Sequence, residues 1–492
     1  MYFIGIDIGT TSVKIIGTNE KGDVIKSVTK DYPIFFPKPL WSEQNPKDWW
    51  EKSLEGFTEL LKSLDKSEVK AISFSGQMHG MVTLDENDEP IRPAILWNDQ
   101  RTEKECDFLN KEIGQKNISK WTGNLALTGF TAPKVLWLRE NEPDNFKKIN
   151  KLMLPKDYIA YKMSGVFATD VSDASGTLYF DVKNRKWSNE MLELLKLSKD
   201  QLPKVFESYE VIGNIKEELA NELGISNKVK IIIGGGDQAV AAVGGGVVDK
   251  GSCSVSLGTS GVVFASSEKF FVDENNALHS FCHANGKYHQ MGVTLAAAAS
   301  LKWWVEEVIK TDDFDGLLSE AKTVEEAENL FYLPYLMGER TPHNDPHCRG
   351  TFIGLNMSHE RKHMTRAVLE GVAFSLRDTF EIMKKMGIEI RDISINGGGA
   401  KSILWCRIIA DVLNVKVNKL ATDAGPAYGA AILAAVGYGR YDTVESACNT
   451  FIKVSESIDP NSKNVSIYNE KYDKFRKIYP QLKDLFKQLN PS

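Results

Sequence analysis

The middle of the chain reads VKIIIGGGDQAVAAVGGGVVDKGSCSVSLGTSGVVFA, residues 229–265. Its apolar start predicts a strand that ends in a turn at Gly234–Gly236, where glycine allows backbone angles that other residues avoid. One acid, Asp237, follows at once, and residues 253–265 predict two strands joined by a turn at Gly258–Gly261. Such a carboxylate can take a proton while the amides and hydroxyls of the second turn hold phosphate oxygens. The stretch therefore indicates phosphate chemistry.

The N terminus repeats this strand–turn–strand pattern. Residues 2–18 read YFIGIDIGTTSVKIIGT, and the same Gly-Thr pair recurs in each half of the chain, as Gly9-Thr10 and Gly258-Thr259. Self-similarity of this kind indicates two copies of one domain type. We predict that the two hairpins face each other across a cleft and clamp a polyphosphate. The predicted domains are residues 1–243 and residues 244–492.

Composition describes an ordinary globular protein of 492 residues, long enough for roughly two to four domains. The 60 Lys and Arg residues against 66 Asp and Glu give a formal charge of -6 without a basic block, so no nucleic-acid partner is expected. The six cysteines form no CxxC pair, which favours reduced thiols over disulfides or zinc ligands. Neither a signal peptide nor a membrane-spanning run is visible, so we expect a cytoplasmic protein without a membrane partner.

Three further loops follow predicted strands, at the sheet edge where ligands bind in α/β proteins. Residues 75–80 read SGQMHG, residues 97–101 read WNDQR, and residues 396–402 read NGGGAKS. The last repeats the strand and triple-glycine turn, without an acid after it. Residues 424–437 predict an alanine-rich helix that can pack closely on a sheet.

Two motifs point to other chemistry. Residues 234–239 fit the dinucleotide pattern G-x-G-x-x-A, but Asp237 would lie where the pyrophosphate belongs. His359–His363 matches HExxH, yet it falls at the start of a helix predicted over residues 358–380 and capped by Ser358. Because no clear third ligand accompanies it, we interpret it as a solvated helix start and not as a zinc site. No GxxxxGK[ST] pattern occurs, which excludes a P-loop NTPase.

Six stretches, taken in order, resemble the FGGY family of carbohydrate kinases: FIGIDIGTTSVKIIGT, SGQMHGMV, LWNDQRT, GGGDQ, SLGTSGVVF and NGGGAKSILWCRIIAD. The resemblance implies an α/β fold of two ribonuclease-H-like domains, of the actin and hexokinase type, with an interdomain cleft. It also implies ATP, Mg²⁺ and a small-molecule sugar as ligands. WSEQNPKDWW and SGQMHG are most similar to the branch that phosphorylates D-xylulose to D-xylulose 5-phosphate.

Phosphoryl transfer depends on positioning and charge neutralisation, and the resemblance assigns residues to both. Asp237 is the predicted general base, although a GGGD sequence alone would better predict an N-cap or a first-turn acid. Asp7 is predicted to hold Mg²⁺ through water, against the alternative of a turn-initiating Asp. The remaining predicted contacts are Gly9, Thr10, Thr11, Ser12, Lys14, Gly258 and Thr259 for the phosphates, Met78, His79, Asp99, Asp237 and Gln238 for the sugar, and Gly398, Gly399 and Ser402 for adenosine.

Several alternatives stay open at this point. Met78-His79 stands where the glycerol kinase branch carries Arg-Glu, which argues against glycerol, but the residues do not separate D-xylulose from L-xylulose or ribulose. An actin-like ATPase acting as a nucleotide-switched binding module would make this loop and Asp237 incidental. Lys14 is only surface charge if its strand points it outward. The sequence also leaves open whether the protein is a homodimer.

Overall fold

Two α/β halves form the framework of the protein, which a computed structural model describes for residues 1–422 and 425–489. In the first half the strands and helices are β1 (Tyr2–Ile8), β2 (Ser12–Asn19), β3 (Val24–Asp31), β4 (Glu43–Gln44), α1 (Pro46–Leu61), β5 (Val69–Gly76), β6 (Val82–Leu84), β7 (Ala94–Ile95), α2 (Glu103–Asp107), α3 (Gln115–Thr122), α4 (Thr131–Asn141), α5 (Pro143–Lys147), β8 (Lys151–Met153), α6 (Pro155–Ser164), β9 (Ala168–Asp170), α7 (Val171–Ser175), β10 (Phe180–Asp181), β11 (Lys186–Trp187), α8 (Asn189–Leu195), β12 (Lys204–Phe206), β13 (Val211–Asn214), α9 (Glu217–Leu223), β14 (Lys230–Gly236) and α10 (Asp237–Gly244).

The second half continues with a similar alternation of strands and helices. Its elements are β15 (Ser252–Leu257), β16 (Gly261–Ser267), β17 (His279–Cys282), β18 (Tyr288–Thr294), α11 (Ala298–Lys302), α12 (Phe314–Lys322), β19 (Phe331–Leu333), β20 (Thr351–Ile353), α13 (Arg361–Lys385), β21 (Asp392–Asn396), α14 (Ile403–Leu413), β22 (Lys416–Leu420), α15 (Pro426–Tyr438), α16 (Val444–Phe451), β23 (Val454–Ile458), α17 (Ser462–Phe475) and α18 (Ile478–Leu489). Short 3₁₀ and π segments lie at Lys66–Glu68, Phe108–Gly114, Lys199–Gln201, Trp303–Ile309 and Gly398–Lys401.

The two main sheets repeat one arrangement of strands. Their orders are β3-β2-β1-β5-β14-β13 and β17-β18-β16-β15-β21-β22-β23. Each sheet contains an antiparallel hairpin, β1-β2 or β15-β16. The first strand of each hairpin runs parallel to the next strand in its sheet, β5 or β21. This topology confirms the predicted internal duplication and the two-domain fold of the actin and hexokinase type.

Strand β1 is buried on both faces of the first sheet. Because alternate residues of a strand point to opposite faces, Ile4 and Ile6 pack in one core with Trp49 of α1. Phe3, on the other face, packs in a second core that includes residues of α15 and α16. The first sheet is therefore covered on one side by a helix from its own half and on the other by helices from the end of the chain.

Helix α15 approaches the first sheet with backbone-close contacts. A Cβ on Gly5 would lie 1.9 Å from the carbonyl oxygen of Ala427, and one on Gly429 would lie 1.9 Å from that of Val240 in α10. The alanine-rich helix predicted over 424–437 thus packs on a sheet as expected, although residue 424, like 423 and 490–492, lies outside the described residues. The division at residues 243 and 244 stays a prediction, since α15 and α16 cover the first sheet.

Helix α13 is the central helix of the second core and begins at Arg361. Its N-cap is Glu360, whose backbone N–H donates to Nδ1 of His363 at 3.0 Å. The predicted cap at Ser358 is wrong, because the amide and hydroxyl of Ser358 both donate to the Asn356 side chain and form a local turn instead. The HExxH-like stretch therefore has a structural role at the start of a helix.

A third hydrophobic core joins the two halves beside the loop after β5. It contains Met78 and Phe130 from the first half together with Phe264, Phe281 and Met291 from the second. All six cysteine thiols are buried and free. Among residues 1–422 and 425–489, no helix combines the length and apolar character needed to cross a bilayer.

Candidate active site

Asp237 is the first residue of α10 and follows directly on β14. The turn that carries it depends on glycine: Gly234 has φ +71°, and a Cβ there would lie 1.8 Å from the carbonyl oxygen of Phe74. A Cβ on Gly236 would come within 2.9 Å of Met78. Gly236 is the N-cap of α10, so the alternative that Asp237 caps the helix is wrong, although Asp237 is an acid of the first turn. The glycine turn places the carboxylate next to the loop after β5.

The Asp237 carboxyl group ionises close to neutral pH. Burial, with a further contribution from the negative charge of Asp7, raises its pKa to about 7. The neighbouring backbone N–H and side-chain amide of Gln238 act in the opposite direction. A pKa near the operating pH suits a group that accepts a proton during the reaction.

Asp7 lies near the end of β1, opposite Lys14 in the hairpin and beside Ser75 of β5. Burial raises its pKa to about 6, although the neighbouring hydroxyl of Ser75 and the charge of Lys14 counteract this. Lys14 is only partly exposed and pairs with Asp7 across the hairpin, so its charge acts on that carboxylate and is not only a surface charge. The Oδ1 atom of Asp7 is buried and has no hydrogen-bond partner. A free carboxylate oxygen of this kind fits a hard cation such as Mg²⁺.

The turn between β1 and β2 presents amide and hydroxyl groups beside Asp7. The N–H of Gly9 donates to the carbonyl oxygen of Ser12 at 3.0 Å, which closes the turn. Thr11 is exposed, and Thr10 Oγ1 accepts a hydrogen bond from Trp97 Nε1 at 3.0 Å. Sequence reasoning missed Trp97 as a site residue, although the LWNDQRT stretch contains it.

The second hairpin and the triple-glycine turn after β21 line one cavity of about 500 Å³. Thr259 contributes from the hairpin, and Gly398, Gly399 and Ser402 contribute from the turn. The residues predicted to bind phosphate and adenosine in this half are therefore brought together. Ser402 also caps α14, where its hydroxyl accepts from the N–H of Trp405 at 3.2 Å.

Helices α11 and α12 form a wall of this cavity that the sequence did not reveal. Phe314 and Leu318 supply apolar surface and Lys302 a charge. The hairpin is tied to α11 because the carbonyl oxygen of Gly258 accepts from the N–H of Ala298 at 2.8 Å. No sequence motif identifies Lys302, Phe314 and Leu318 as cavity residues, because only the fold brings them next to Thr259 and Gly398.

The loop after β5 holds His79 in one orientation. His79 has φ +69°, its Nδ1 lies 2.7 Å from the carbonyl oxygen of Gly176, and its ring centroid lies 4.7 Å from that of Phe130. Burial lowers the pKa of His79 to about 3, and the positive charge of Lys134 lowers it further. Because a carbonyl oxygen only accepts, the neutral ring carries its proton on Nδ1 and leaves Nε2 as an acceptor. Nε2 can therefore receive a hydrogen bond from a sugar hydroxyl.

Lys134 is a buried support of this loop that sequence reasoning missed. Its Nζ donates to the carbonyl oxygens of His79 at 2.8 Å and Gly129 at 2.7 Å. Burial lowers the pKa of Lys134 to about 7. Met78 is likewise buried, close to Gly176 and Gly236. Both side chains fix the position of His79 next to the turn that carries Asp237.

The structure contradicts the assignment of Asp99 to the sugar. Its carboxylate is fully buried, and Oδ1 accepts from the backbone N–H and the Nε of Arg101, both at 2.9 Å. Its Oδ2 accepts from Arg101 Nη2 and from the backbone N–H of Ser42, both at 2.6 Å. These four bonds occupy the acceptor positions of the carboxylate. Asp99 is instead a structural group that holds Arg101, whose guanidinium lies 3.6 Å from the ring centroid of Trp41.

A buried ion cluster lies beneath the Asp237 turn. Lys156 is fully buried, and the carboxylates around its Nζ are those of Asp157 at 2.5 Å, Asp170 at 3.0 Å and Asp173 at 3.8 Å. The hydroxyl of Ser172 donates to Asp170 at 2.5 Å and accepts from the N–H of Gly236 at 3.1 Å. Ser172 therefore connects the cluster to the residue that precedes Asp237.

Two sheets of this shared topology, each with a hairpin and a glycine turn at its edge, define the class of two-domain kinases with the actin and hexokinase fold. The family model of the N-terminal domain of the FGGY carbohydrate kinases matches residues 2–244, and that of the C-terminal domain matches residues 253–438. The chain therefore belongs to the FGGY family of carbohydrate kinases.

Relatives match the chain over nearly its whole length. The xylulose kinase of Bacillus subtilis (strain 168) is 39% identical over 488 residues, which cover 98% of each chain. A solved structure described as a xyloylose kinase from Brucella ovis is 37% identical, has a TM-score of 0.94 and covers 99% of this chain and 100% of its own. The solved gluconate kinase from Lactobacillus acidophilus has a TM-score of 0.94 at 28% identity, with 99% of each chain covered. The fold is thus common to relatives named for different sugars.

Proposed function

We propose that the protein transfers the γ-phosphoryl group of ATP to the C5 hydroxyl of D-xylulose, giving D-xylulose 5-phosphate and ADP. The observation that carries the proposal is the Asp237 carboxylate, whose pKa is about 7 and which adjoins both the His79 loop and Asp7. The identity of 39% to the xylulose kinase of Bacillus subtilis over 98% of each chain supports D-xylulose as the sugar.

In the proposed reaction, Asp237 accepts the proton of the C5 hydroxyl as the hydroxyl oxygen attacks the γ-phosphorus. The bond between the γ-phosphorus and the bridging oxygen breaks, and ADP leaves with the electron pair. His79 Nε2 and Gln238 orient the sugar, while amides and hydroxyls of the two hairpin turns hold the phosphates. Mg²⁺, when bound, neutralises phosphate charge, and Asp7 would hold it through water.

The test of this proposal is a substrate panel in an assay that couples ADP release to a colour change. The panel contains D-xylulose, L-xylulose, D-ribulose, glycerol and gluconate, the last because a gluconate kinase shares the fold. We expect D-xylulose to have the highest kcat/KM. A preference for glycerol or gluconate would remove the proposal, whereas a preference for another ketose would correct only the sugar. ATP hydrolysis unaffected by every sugar would favour the nucleotide-switched binding module.

Replacement of Asp7 by asparagine is expected to raise the Mg²⁺ concentration for half-maximal activity by about 10- to 100-fold. The amide keeps the shape of the side chain but removes the anionic oxygen that has no partner inside the protein. Turnover measured against Mg²⁺ at saturating ATP checks this. Asp23→Asn is a matched control, because Asp23 is an exposed acid in the turn between β2 and β3. An unchanged Mg²⁺ requirement in D7N would contradict the role of Asp7.

Replacement of His79 by asparagine is expected to raise the KM for the sugar by about tenfold, since one hydrogen bond to the sugar is lost. Asparagine tolerates the left-handed backbone at this position, so the loop should keep its shape. Initial rates measured against sugar and then against ATP separate the two effects. The KM for ATP should stay at the wild-type value. An increase in the KM for ATP instead would place His79 outside the sugar site.

A cytoplasmic location is also part of this proposal. All six thiols are free and buried, as expected of a protein in a reducing compartment. Fractionation of cells that produce the protein at its native level checks this, and recovery with secreted proteins would contradict it.

A further inference from the structure

Arg340 lies in a loop that hydrogen bonds hold on both sides, while no described residue forms a hydrogen bond with its guanidinium. Its backbone N–H donates to Glu339 Oε1 at 2.7 Å, and the same carboxylate accepts from the N–H of Leu295 at 2.9 Å and from the hydroxyl of Thr294. On the other side, the N–H of Thr341 donates to the carbonyl oxygen of Val293 at 3.0 Å. Burial lowers the pKa of the Arg340 guanidinium, although the negative charge of Glu339 counteracts this, and the guanidinium makes no hydrogen bond with any other described residue.

The charge of Arg340 acts on two partly buried histidines, and one of them, His279, lines a cavity with it. Burial lowers the pKa of His279 to about 3, and the positive charge of Arg340 lowers it further. The same charge also contributes, after larger causes led by burial, to the low pKa of His79. The ring of Phe130 lies between the two histidines, with centroids 4.7 Å from His79 and 5.6 Å from His279. Arg340 is therefore within electrostatic range of the proposed sugar site, from the opposite half of the chain.

A small cavity with both polar and apolar walls lies at this point. It has a volume of about 50 Å³, and its lining includes His279, Arg340, Asn276 and Asn344. One water molecule needs roughly 10–15 Å³ of such volume, so the cavity has room for a few atoms of a ligand. Its walls come from both halves, since Asn124 and Leu127 also line it.

The chemistry of a pentulose indicates what Arg340 binds, given the proposed function. The C5 hydroxyl that receives the phosphate is the one that closes the furanose ring, so the reacting form is the open chain with a free C2 carbonyl. A carbonyl oxygen only accepts hydrogen bonds, and so does Nε2 of His79, whereas a guanidinium only donates. We propose that Arg340 donates to the carbonyl oxygen of the open-chain ketose and so forms the wall of the sugar site contributed by the second half.

The experiment compares D-xylulose with xylitol, which carries a hydroxyl in place of the carbonyl. Binding of both to the full-length protein is measured by calorimetry with a non-hydrolysable ATP analogue and Mg²⁺ present. In Arg340→Gln we expect D-xylulose to bind about 10- to 100-fold more weakly. Xylitol should bind as it does to the wild type, and Arg340→Lys, which keeps a cationic donor, should recover part of the lost affinity.

A matched control is Arg349→Gln, because the Arg349 guanidinium donates to the carbonyl oxygens of Pro346 at 2.7 Å and Cys348 at 2.8 Å. This variant should bind both sugars like the wild type. Equal losses for D-xylulose and xylitol in R340Q, or no loss for either, would overturn the proposal, as would failure of the wild type to bind D-xylulose. If R340Q has a lower affinity for the ATP analogue than the wild type, Arg340 would instead be assigned to the phosphates. Turnover by the wild type tests the proposed function separately, because the comparison of affinities for D-xylulose and xylitol does not depend on turnover.

Discussion

Replacement of Asp237 by asparagine is expected to lower kcat by about 10²- to 10⁴-fold and to leave nucleotide binding intact. The amide retains the shape of the side chain at the start of α10, but it cannot accept the proton of the sugar hydroxyl. Steady-state turnover with D-xylulose and calorimetric titration with an ATP analogue check the two parts. Asp249→Asn is a matched control, since Asp249 is an exposed carboxylate in the segment after α10. Turnover in D237N equal to that of the wild type would mean that another group takes the proton.

The same carboxylate sets the acidic limb of the pH profile. The ionised form of Asp237 is the active one, and burial raises its pKa to about 7 in the free protein. The value of kcat/KM for the sugar should therefore be constant well above pH 7 and fall below it, more steeply below about pH 6, where Asp7 also takes up a proton. A limb near pH 4, where an ordinary exposed aspartate titrates, would show that Asp237 is not the group that controls the rate.

The parts of the site that the sequence predicts are those with a local backbone requirement. Gly234 adopts a positive φ and lies against Phe74, so this position requires glycine. The GGGD sequence shows that requirement directly. The Gly-Thr turns at Gly9 and Gly258 are equally local, and their repetition reveals the duplicated fold that the two sheets confirm. A strand followed by a glycine turn thus predicts both the topology and where the carboxylate lies.

The parts that the sequence does not predict depend on contacts between distant segments. Phe314 and Leu318 share a cavity with Thr259 and Gly399 only because the fold brings α12 to its wall. Helix α15 covers the first sheet, although most strands of the second sheet precede it along the chain. Apolar periodicity shows that such helices have a buried face, but it does not show which surface they cover.

Asp99 illustrates a different limit. Its position in a polar loop after a strand is the same as that of a ligand-binding acid, and the residue type alone does not distinguish the two cases. What decides the matter is that Arg101 and Ser42 already occupy both carboxylate oxygens. The Asp-x-Arg spacing is the available signal, since a guanidinium two residues away can satisfy the acid locally.

The largest expected effect on stability is that of Lys156→Met, which should lower the free energy of unfolding by about 3–5 kcal/mol. Methionine keeps the apolar stem that packs against Gly76, but it removes the cation that faces Asp157, Asp170 and Asp173. Buried carboxylates without a counter-charge are costly because no water solvates them. Urea denaturation followed by circular dichroism measures the change.

The effect of pH separates this electrostatic cause from a general packing defect. Burial already raises the pKa of Asp157 and of Asp173, and loss of Lys156 should raise both further. The folded variant then holds protons that the unfolded chain releases, so its stability falls as the pH rises and the deficit is larger at pH 8 than at pH 5. Lys147→Met removes only an exposed ion pair with Asp144 and should cost less than about 1 kcal/mol. A deficit in K156M that is the same at both pH values would mean that lost packing, and not the unpaired carboxylates, destabilises the variant.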